Sequence, residues 1–293
     1  MIKSILKWGF VLILFIAIIA VATINVFSYK LNAPDHILEN YFESLGTPAT
    51  IKRINFEGKT LRYVESGLQE DWAPIIFFIH GAPGTLDAFK EFLADYDLNH
   101  KARLIAMDRL GYGGSDFGNP ETSIVTHAQT AELILDRYES SNTIIVSHSY
   151  GSPVSAALAA RRPELVDGLL MISPVNDPIS EPVEWYAYLA NLKVFRWLLP
   201  GFVDVATTEK MSHKTALMEI VPLFSEITCP VVHYHGTNDE LAPYNGNIEF
   251  SKNNIDPLNL RIIEEESGGH LLIWSRGATI KNMIFDLLNQ ISD

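Results

Sequence analysis

Short, nearly continuous apolar runs recur along this chain of 293 residues, and they constrain its fold more than any other feature. Runs of this length and composition are typical of strands that are buried on both faces of a parallel sheet. The runs are Pro74–Ile79, Ala102–Met107, Thr143–Val146, Leu169–Ile172 and Val231–Tyr234, with a weaker one at Leu260–Ile263. They alternate with helical patterns, which predicts an α/β fold with a mainly parallel sheet flanked by helices. Ligands of such sheets bind beyond the carboxyl ends of the strands.

The segments around these runs predict the remaining elements. Two alternating runs, Ile51–Phe56 and Thr60–Val64, flank a Glu57-Gly58-Lys59 turn and indicate a β-hairpin. Helical patterns cover Ile124–Tyr138, Pro153–Arg161 and Ile273–Ile291. We predict a catalytic core over residues 51–176 and 226–293, interrupted at 177–225 by a helical cap rich in aromatic residues and prolines.

The first 30 residues predict a membrane segment. From Trp8 to Phe27 no residue is charged, and this length suffices for one helix to cross a ~30 Å hydrocarbon core. Lys3 and Lys7 precede it and favour a cytoplasmic N-terminus with an extracytoplasmic body. We predict a single-pass transmembrane anchor over residues 1–30 and a linker over 31–50. A cleaved signal peptide, with a cleavage site at Ala20-Val21-Ala22, is the alternative and would give a secreted or periplasmic protein.

Composition limits the partners. The formal net charge is −13 and no basic stripe is present, so nucleic acid is not an expected partner. The single cysteine, Cys229, cannot form an intramolecular disulfide, and we expect it to be a small buried residue. The nine histidines show no metal-ligand spacing, so we predict neither a metal nor another cofactor. The sequence does not indicate an oligomeric state.

Ser149 is the candidate nucleophile. The third apolar run leads directly into Ser147-His148-Ser149-Tyr150-Gly151, with small residues two positions before and after Ser149. A tight strand-to-helix turn lifts one side chain above the sheet, and larger neighbours would clash with the facing backbone. The following helix N-terminus favours negative charge at this position. The alternative is a helix N-cap serine without chemistry.

Candidates for the base and the acid follow later in the chain. His270 comes after Gly268-Gly269, which allow a short loop to bring it over the sheet, and histidine suits a base because its pKa lies near neutrality. Asp239 lies in a turn after the fifth apolar run, and a carboxylate on the second ring nitrogen would orient the base.

These motifs together resemble those of the α/β-hydrolase superfamily. The serine turn is similar to its G-x-S-x-G elbow, with Ser147 in place of the first glycine, and the loop His80–Gly84 is similar to its HG-x-P-G oxyanion loop. The turn Gly236–Pro243 resembles its acid-bearing turn, and the order serine, aspartate, histidine is that of the superfamily. The resemblance spans Ile51 to the C-terminus and implies oxyanion donors at the N–H groups of Ala82 and Tyr150.

The resemblance also assigns the neighbouring residues. Some members carry the acid at the position of Asp177, which makes it the rival of Asp239. The segment Asp108–Asp116 resembles a loop that borders the site, and we expect Asp108 and Arg109 to hold its base. The other histidines near the site are expected to support loops or packing; they are His80, His148, His233 and His235.

The function implied is a serine hydrolase that cleaves an ester or related acyl bond through an acyl-enzyme. The aromatic cap suggests a small-molecule substrate with an apolar part. One alternative is a proline iminopeptidase-like aminopeptidase, in which a cap carboxylate, Glu181, Glu184 or Glu209, would hold a free amine. The other is a non-catalytic ligand-binding protein of the same fold. An epoxide hydrolase or haloalkane dehalogenase is disfavoured, because those enzymes need aspartate at the position of Ser149.

Overall fold

The sheet observed in the computed structural model, which describes residues 2–138, 142–180 and 201–292, has eight strands in the order β1-β2-β4-β3-β5-β6-β7-β8. The strands are β1 Ala49–Phe56, β2 Lys59–Gly67, β3 Ile75–Ile79, β4 Arg103–Met107, β5 Thr143–His148, β6 Gly168–Ile172, β7 Val231–Gly236 and β8 Leu260–Glu265. Strand β2 is antiparallel to β1 and to β4, and all other neighbours are parallel. The predicted fold class is therefore confirmed.

The described residues also form ten α-helices, most of which flank this sheet. They are α1 Ile2–Leu31, α2 Asp35–Leu45, α3 Lys90–Leu93, α4 Tyr96–Asn99, α5 Ile124–Leu135, α6 Gly151–Arg161, α7 Gly201–Ile220, α8 Tyr244–Asn254, α9 Leu272–Ser275 and α10 Gly277–Ser292. The prediction of one continuous C-terminal helix was wrong. The backbone leaves the helical conformation at Arg276, with φ −132° and ψ 33°, and Gly277 follows, a residue type that disfavours a helix interior.

Alternate residues of the strands face two separate apolar layers. In β3, Phe77 packs into the layer that holds side chains of α5, α6 and α7, including Leu217. Phe78 packs into the opposite layer with α2 and α10, including Leu38 and Ile284. Each strand of the parallel part is thus covered on both faces, which explains why its sequence is continuously apolar.

The structure describes the predicted cap only in part. Residues 181–200, which include Glu181 and Glu184, lie outside the described residues, and α7 occupies most of the remainder. Helix α7 buries Val205, Leu217 and Ile220, together with the carboxylate of Glu209. The cap boundaries at 177 and 225 stay a prediction.

Helix α1 is, among the described residues, the one helix long and apolar enough to cross a membrane. Its window Lys7–Ile24 is not buried against any other part of the protein. Helix α2 follows closely and buries Leu38 and Phe42 in the core. Length and composition thus agree with a membrane helix joined to the catalytic fold by a very short connection.

Candidate active site

Ser149 lies in a strained turn between β5 and α6. Its φ is +52°, a left-handed conformation that is uncommon outside glycine. A Cβ on Gly151 would overlap the carbonyl oxygen of Ile79 and lie 3.0 Å from that of His80, so the second small residue is required. The Oγ of Ser147 is 2.9 Å from the Oγ of Ser155, so a serine is accommodated where the superfamily has glycine.

The Gly151→Ala variant is expected to lower the free energy of unfolding by about 2–3 kcal/mol, because the added methyl forces β3 and α6 apart. Thermal unfolding in detergent micelles measures the change. Gly277→Ala is the matched control, since no atom lies within 4 Å of the position of its Cβ. An equally small effect of both substitutions would contradict the steric requirement at Gly151.

The structure brings Ser149, His270 and Asp239 together. The Oγ of Ser149 is 2.9 Å from Nε2 of His270, and Nδ1 of His270 is 2.8 Å from Oδ2 of Asp239. These residues lie on loops after β5, β8 and β7, at the carboxyl edge of the parallel strands. A hydroxyl, an imidazole and a carboxylate in this order form a path along which the serine proton can move to the imidazole.

Asp239 is held as a carboxylate. Its Oδ1 accepts hydrogen bonds from the backbone N–H groups of Leu241 and Ala242, at 3.0 and 2.8 Å. Burial alone would raise the pKa of Asp239, but the hydrogen bonds from His235 and His270 outweigh it and hold the pKa well below its usual range. The group is therefore negative at any pH at which the imidazole can act as a base.

A chain of histidines lies behind this carboxylate. Nε2 of His235 faces two acceptors, the carbonyl of Ala242 at 2.8 Å and Oδ2 of Asp239 at 3.2 Å, so it must carry the proton. Nδ1 of His235 then accepts from Nε2 of His233 at 2.9 Å, and Nδ1 of His233 accepts from the hydroxyl of Ser251. His235 thus contacts the acid, which is a supporting role of the kind expected for this histidine. In the sequence, the spacing of four residues between His235 and Asp239 across one turn was the feature that could have indicated this contact.

His148 contacts the base from the other side. Its Nε2 is 3.1 Å from the carbonyl oxygen of His270, and the two rings are 5.1 Å apart. Burial, followed by the charge of His270, lowers the pKa of His148 to about 3, so it is neutral and donates this hydrogen bond. His148 therefore fixes the backbone of the base without adding charge beside it, as expected for a supporting residue.

The predicted oxyanion loop lies directly beside the nucleophile. A Cβ on Gly81 would lie 2.9 Å from Cβ of Ser149, so the backbone of Gly81 runs beside the serine. Ala82 is the next residue along this loop. His80 supports this loop as expected: its Nδ1 is 2.7 Å from the Gly81 carbonyl, and its Nε2 accepts from the N–H of Arg109 at 3.0 Å. The Arg109 guanidinium donates to the carbonyl of His80 at 3.1 Å and holds the same loop.

Arg109 in turn pairs with Glu209 of α7, and both side chains are fully buried. The shortest contact is 2.6 Å, Tyr112 donates to the same carboxylate at 2.6 Å, and Nε2 of His127 is 3.2 Å from it. The guanidinium also lies over the ring of Tyr150, 4.3 Å from its centroid. Glu209 is therefore fully engaged, and the idea that it holds a substrate amine is wrong. Sequence reasoning singled out this residue but missed its partner, since the two lie 100 positions apart.

The remaining candidates are placed elsewhere. Asp177 caps its own turn by accepting from the N–H groups of Ile179 and Ser180 at 2.9 and 3.1 Å, and not from His270. Asp108 accepts from Arg62 and from the N–H groups of Leu86 and Gly114, so it holds its loop as expected. Cys229 is buried, and burial raises its pKa to about 12.

Metal ligands are not grouped in the described part of the chain: no three residues among its histidines, cysteines, aspartates and glutamates are arranged to hold an ion.

A strained serine bonded to an imidazole and a buried carboxylate, above the carboxyl edge of a parallel sheet, defines a hydrolase-type site. A family model described as alpha/beta hydrolase fold matches residues 74–204. Together with the observed sheet order, this match shows that the chain has the α/β-hydrolase fold.

Known proteins agree with this assignment. Protein ABHD8 of Mus musculus is 24% identical over 245 residues, which take in 73% of this chain and 55% of the relative. The chain spans about half the length of the curated relatives that it matches. A solved structure described as a membrane phospholipase A, a novel bacterial virulence factor, superimposes with a TM-score of 0.66 at 16% identity, over 98% of this chain and 99% of that one. The haloalkane dehalogenase DatA from Agrobacterium tumefaciens C58 gives a TM-score of 0.67 at 19% identity, over 85% and 99%.

Proposed function

We propose that the protein is a serine hydrolase that cleaves a carboxylic ester or related acyl bond through an acyl-enzyme. The observation that carries the proposal is the 2.9 Å contact between Ser149 and His270, with Asp239 at 2.8 Å on the opposite ring nitrogen. A nucleophile, a base and an orienting carboxylate are the groups that acyl transfer to serine needs.

The reaction follows from these positions. His270 accepts the hydroxyl proton of Ser149 as its oxygen attacks the ester carbonyl, and the N–H groups of Ala82 and Tyr150 donate to the oxyanion, each worth ~3 kcal/mol. The carbon–oxygen bond to the alcohol then breaks, and the alcohol leaves with the proton from His270. A water molecule gives a proton to His270, attacks the acyl carbon and releases the carboxylic acid, and Ser149 regains its proton.

An ester with an apolar part is favoured over an aminoacyl substrate. Glu209 is fully engaged by Arg109, so it offers no free charge for a substrate amine. Three exposed side chains within four positions of the acid or the base are apolar: Leu241, Leu271 and Trp274. The polar Asn238 and Glu240 are exposed there as well. An apolar acyl chain would bury the three apolar side chains and gain about 25 cal/mol per Å².

We further propose that α1 anchors the protein as a single membrane-spanning helix, with the catalytic domain on the extracytoplasmic side. The uncharged stretch Trp8–Phe27 and the preceding Lys3 and Lys7 support this placement. The match to the membrane phospholipase A extends over 98% of the chain. The acidic body makes nucleic acid an unsuitable partner.

Labelling with a fluorophosphonate probe tests the proposal. We expect one covalent adduct on the full chain in detergent micelles and none on Ser149→Ala, because only a serine with an adjacent base reacts at an appreciable rate. Ser225→Ala, which removes an exposed serine, should label like the unmodified chain. A folded chain that never labels would contradict the enzyme proposal and favour the ligand-binding alternative. Turnover of prolyl p-nitroanilide without turnover of p-nitrophenyl butyrate would favour the aminopeptidase.

A further inference from the structure

The end of α1 is fastened to the catalytic domain. Helix α1 ends at Leu31, α2 begins at Asp35, and the guanidinium of the buried Arg62 closes the gap between them. It donates to the carbonyls of Asn32 and Ala33 at 3.2 and 2.7 Å and to the carboxylate of Asp35 at 2.9 Å. These bonds satisfy carbonyls at the helix terminus and leave no flexible spacer between anchor and domain.

Arg62 is itself fixed to the core. Its Nε donates at 2.6 Å to Asp108, which directly follows β4. Helix α1 also contacts α7, the helix that carries Glu209. The anchor is therefore held to the sheet and to α7.

The fastening point lies at the same edge of the sheet as the active site. The residue after Arg62, Tyr63, pairs with Met107, Met107 pairs with Ile79, and Ile79 pairs with Ser147. These four residues form one row across the sheet, and Ser149 follows two positions after its last member. Three strand spacings of about 4.8 Å separate the ends of this row, so Arg62 lies roughly 15 Å from the nucleophile turn.

Helix geometry places this edge near the membrane surface. The uncharged stretch ends at Phe27, five residues before Asn32, and at 1.5 Å per residue the fastening point lies about 8 Å beyond the hydrocarbon core. Lipid headgroups occupy a layer of roughly 5–8 Å on each side of that core. The fastening point, at the edge of the sheet that carries the active site, thus lies at headgroup depth.

We propose that the joint formed by Arg62 and the end of α1 holds the active site against the bilayer, and that the substrate is the acyl ester of a membrane lipid, which the enzyme takes directly from that bilayer. The proposal rests on the proposed function and on the membrane anchor, and it names their substrate class. A soluble ester reaches the site from water whatever the orientation of the domain. A lipid ester reaches it efficiently only when the domain is held in this position.

The test compares two esters with the same leaving group in proteoliposomes of dioleoylphosphatidylcholine. p-Nitrophenyl butyrate dissolves in water, and p-nitrophenyl palmitate partitions into the bilayer. A flexible Gly-Ser segment of about eight residues inserted after Leu31 gives α1 a loose tether of ~15 Å and leaves the bonds of Arg62 to Asn32 and Asp35 in place. We expect unchanged turnover of butyrate and a loss of about 10-fold for palmitate. The same segment inserted after Pro257, in the loop of the exposed Leu258, should change neither rate.

The other outcomes are decisive as well. Unchanged palmitate turnover in the Leu31 insertion variant would overturn the proposal, because a fixed orientation would not matter. An equal loss of turnover for both esters would also overturn the proposal. The joint would then be needed for the stability of the fold and not for the access of lipid to the active site. If the unmodified chain cleaves butyrate but not palmitate, the result would support the proposed serine hydrolase activity and contradict the proposed lipid substrate. Failure to cleave either ester would count against the proposed function itself.

Discussion

Turnover of p-nitrophenyl butyrate is expected to fall by about four orders of magnitude in Asp239→Asn and by about six in Ser149→Ala. The serine variant lacks the nucleophile. In the asparagine variant, the amide oxygen takes the place of Oδ1 and accepts from the N–H groups of Leu241 and Ala242. The amide NH₂ then faces Nδ1 of His270, which must present a lone pair. Nε2 of His270 consequently carries the proton and cannot accept the one from Ser149. Steady-state kcat in detergent micelles measures both losses.

Asp177→Asn is the matched control, because Asp177 is the rival acid and its carboxylate accepts from the N–H groups of Ile179 and Ser180 and not from His270. Its kcat should stay within about two- to three-fold of the unmodified chain, as for a substitution worth at most ~0.5 kcal/mol. A large loss in Asp177→Asn together with a small one in Asp239→Asn would show that the acid was assigned to the wrong turn.

The local features of the site could be predicted from sequence because each depends on a few adjacent residues. The need for small residues around Ser149 follows from the sterics of one turn, and the overlap at Gly151 has that origin. Continuous apolar runs such as Ile75–Ile79 identify strands covered on both faces. The convergence of Asp239 and His270 on Ser149 does not follow from spacing, and it was anticipated only through the resemblance to a superfamily with the same order.

What sequence could not supply are pairings between distant side chains. Arg109 and Glu209 meet because α7 packs against the loop after β4, and nothing local to either residue identifies its partner. The same holds for the bonds of Arg62 to the end of α1, which depend on a turn of three residues. The break between α9 and α10 at Arg276 was missed for another reason: the apolar pattern continues through Ile280, and only Gly277 marks the break.

Glu209→Ala is expected to lower the free energy of unfolding by about 3–5 kcal/mol, because it leaves the buried guanidinium of Arg109 without a counter-charge. Thermal unfolding in detergent micelles measures the loss. The double variant Arg109→Met, Glu209→Leu should lose less than Glu209→Ala, since no buried charge is then uncompensated. Glu164→Gln, which breaks the exposed pair with Arg162, should leave the unfolding temperature almost unchanged, because water screens that pair.

The buried pair of Arg109 and Glu209 should also make the fold sensitive to acid. Burial would raise the pKa of Glu209, but the charge of Arg109 and the hydrogen bonds from His127 and Arg109 outweigh it and lower the pKa from 4.5 to about 2. Because the folded-state pKa lies below the unfolded value, the stability that the pair contributes is fully present above pH 4.5 and is lost as the pH falls to about 2. The Glu209→Gln variant lacks this titration. Between pH 4.5 and about 2 the unfolding temperature of the variant should therefore fall less steeply than that of the unmodified chain. Parallel acid curves for Glu209→Gln and the unmodified chain would mean that the carboxylate is not held as the contacts indicate, and the stability argument for the Arg109–Glu209 pair would fail with it.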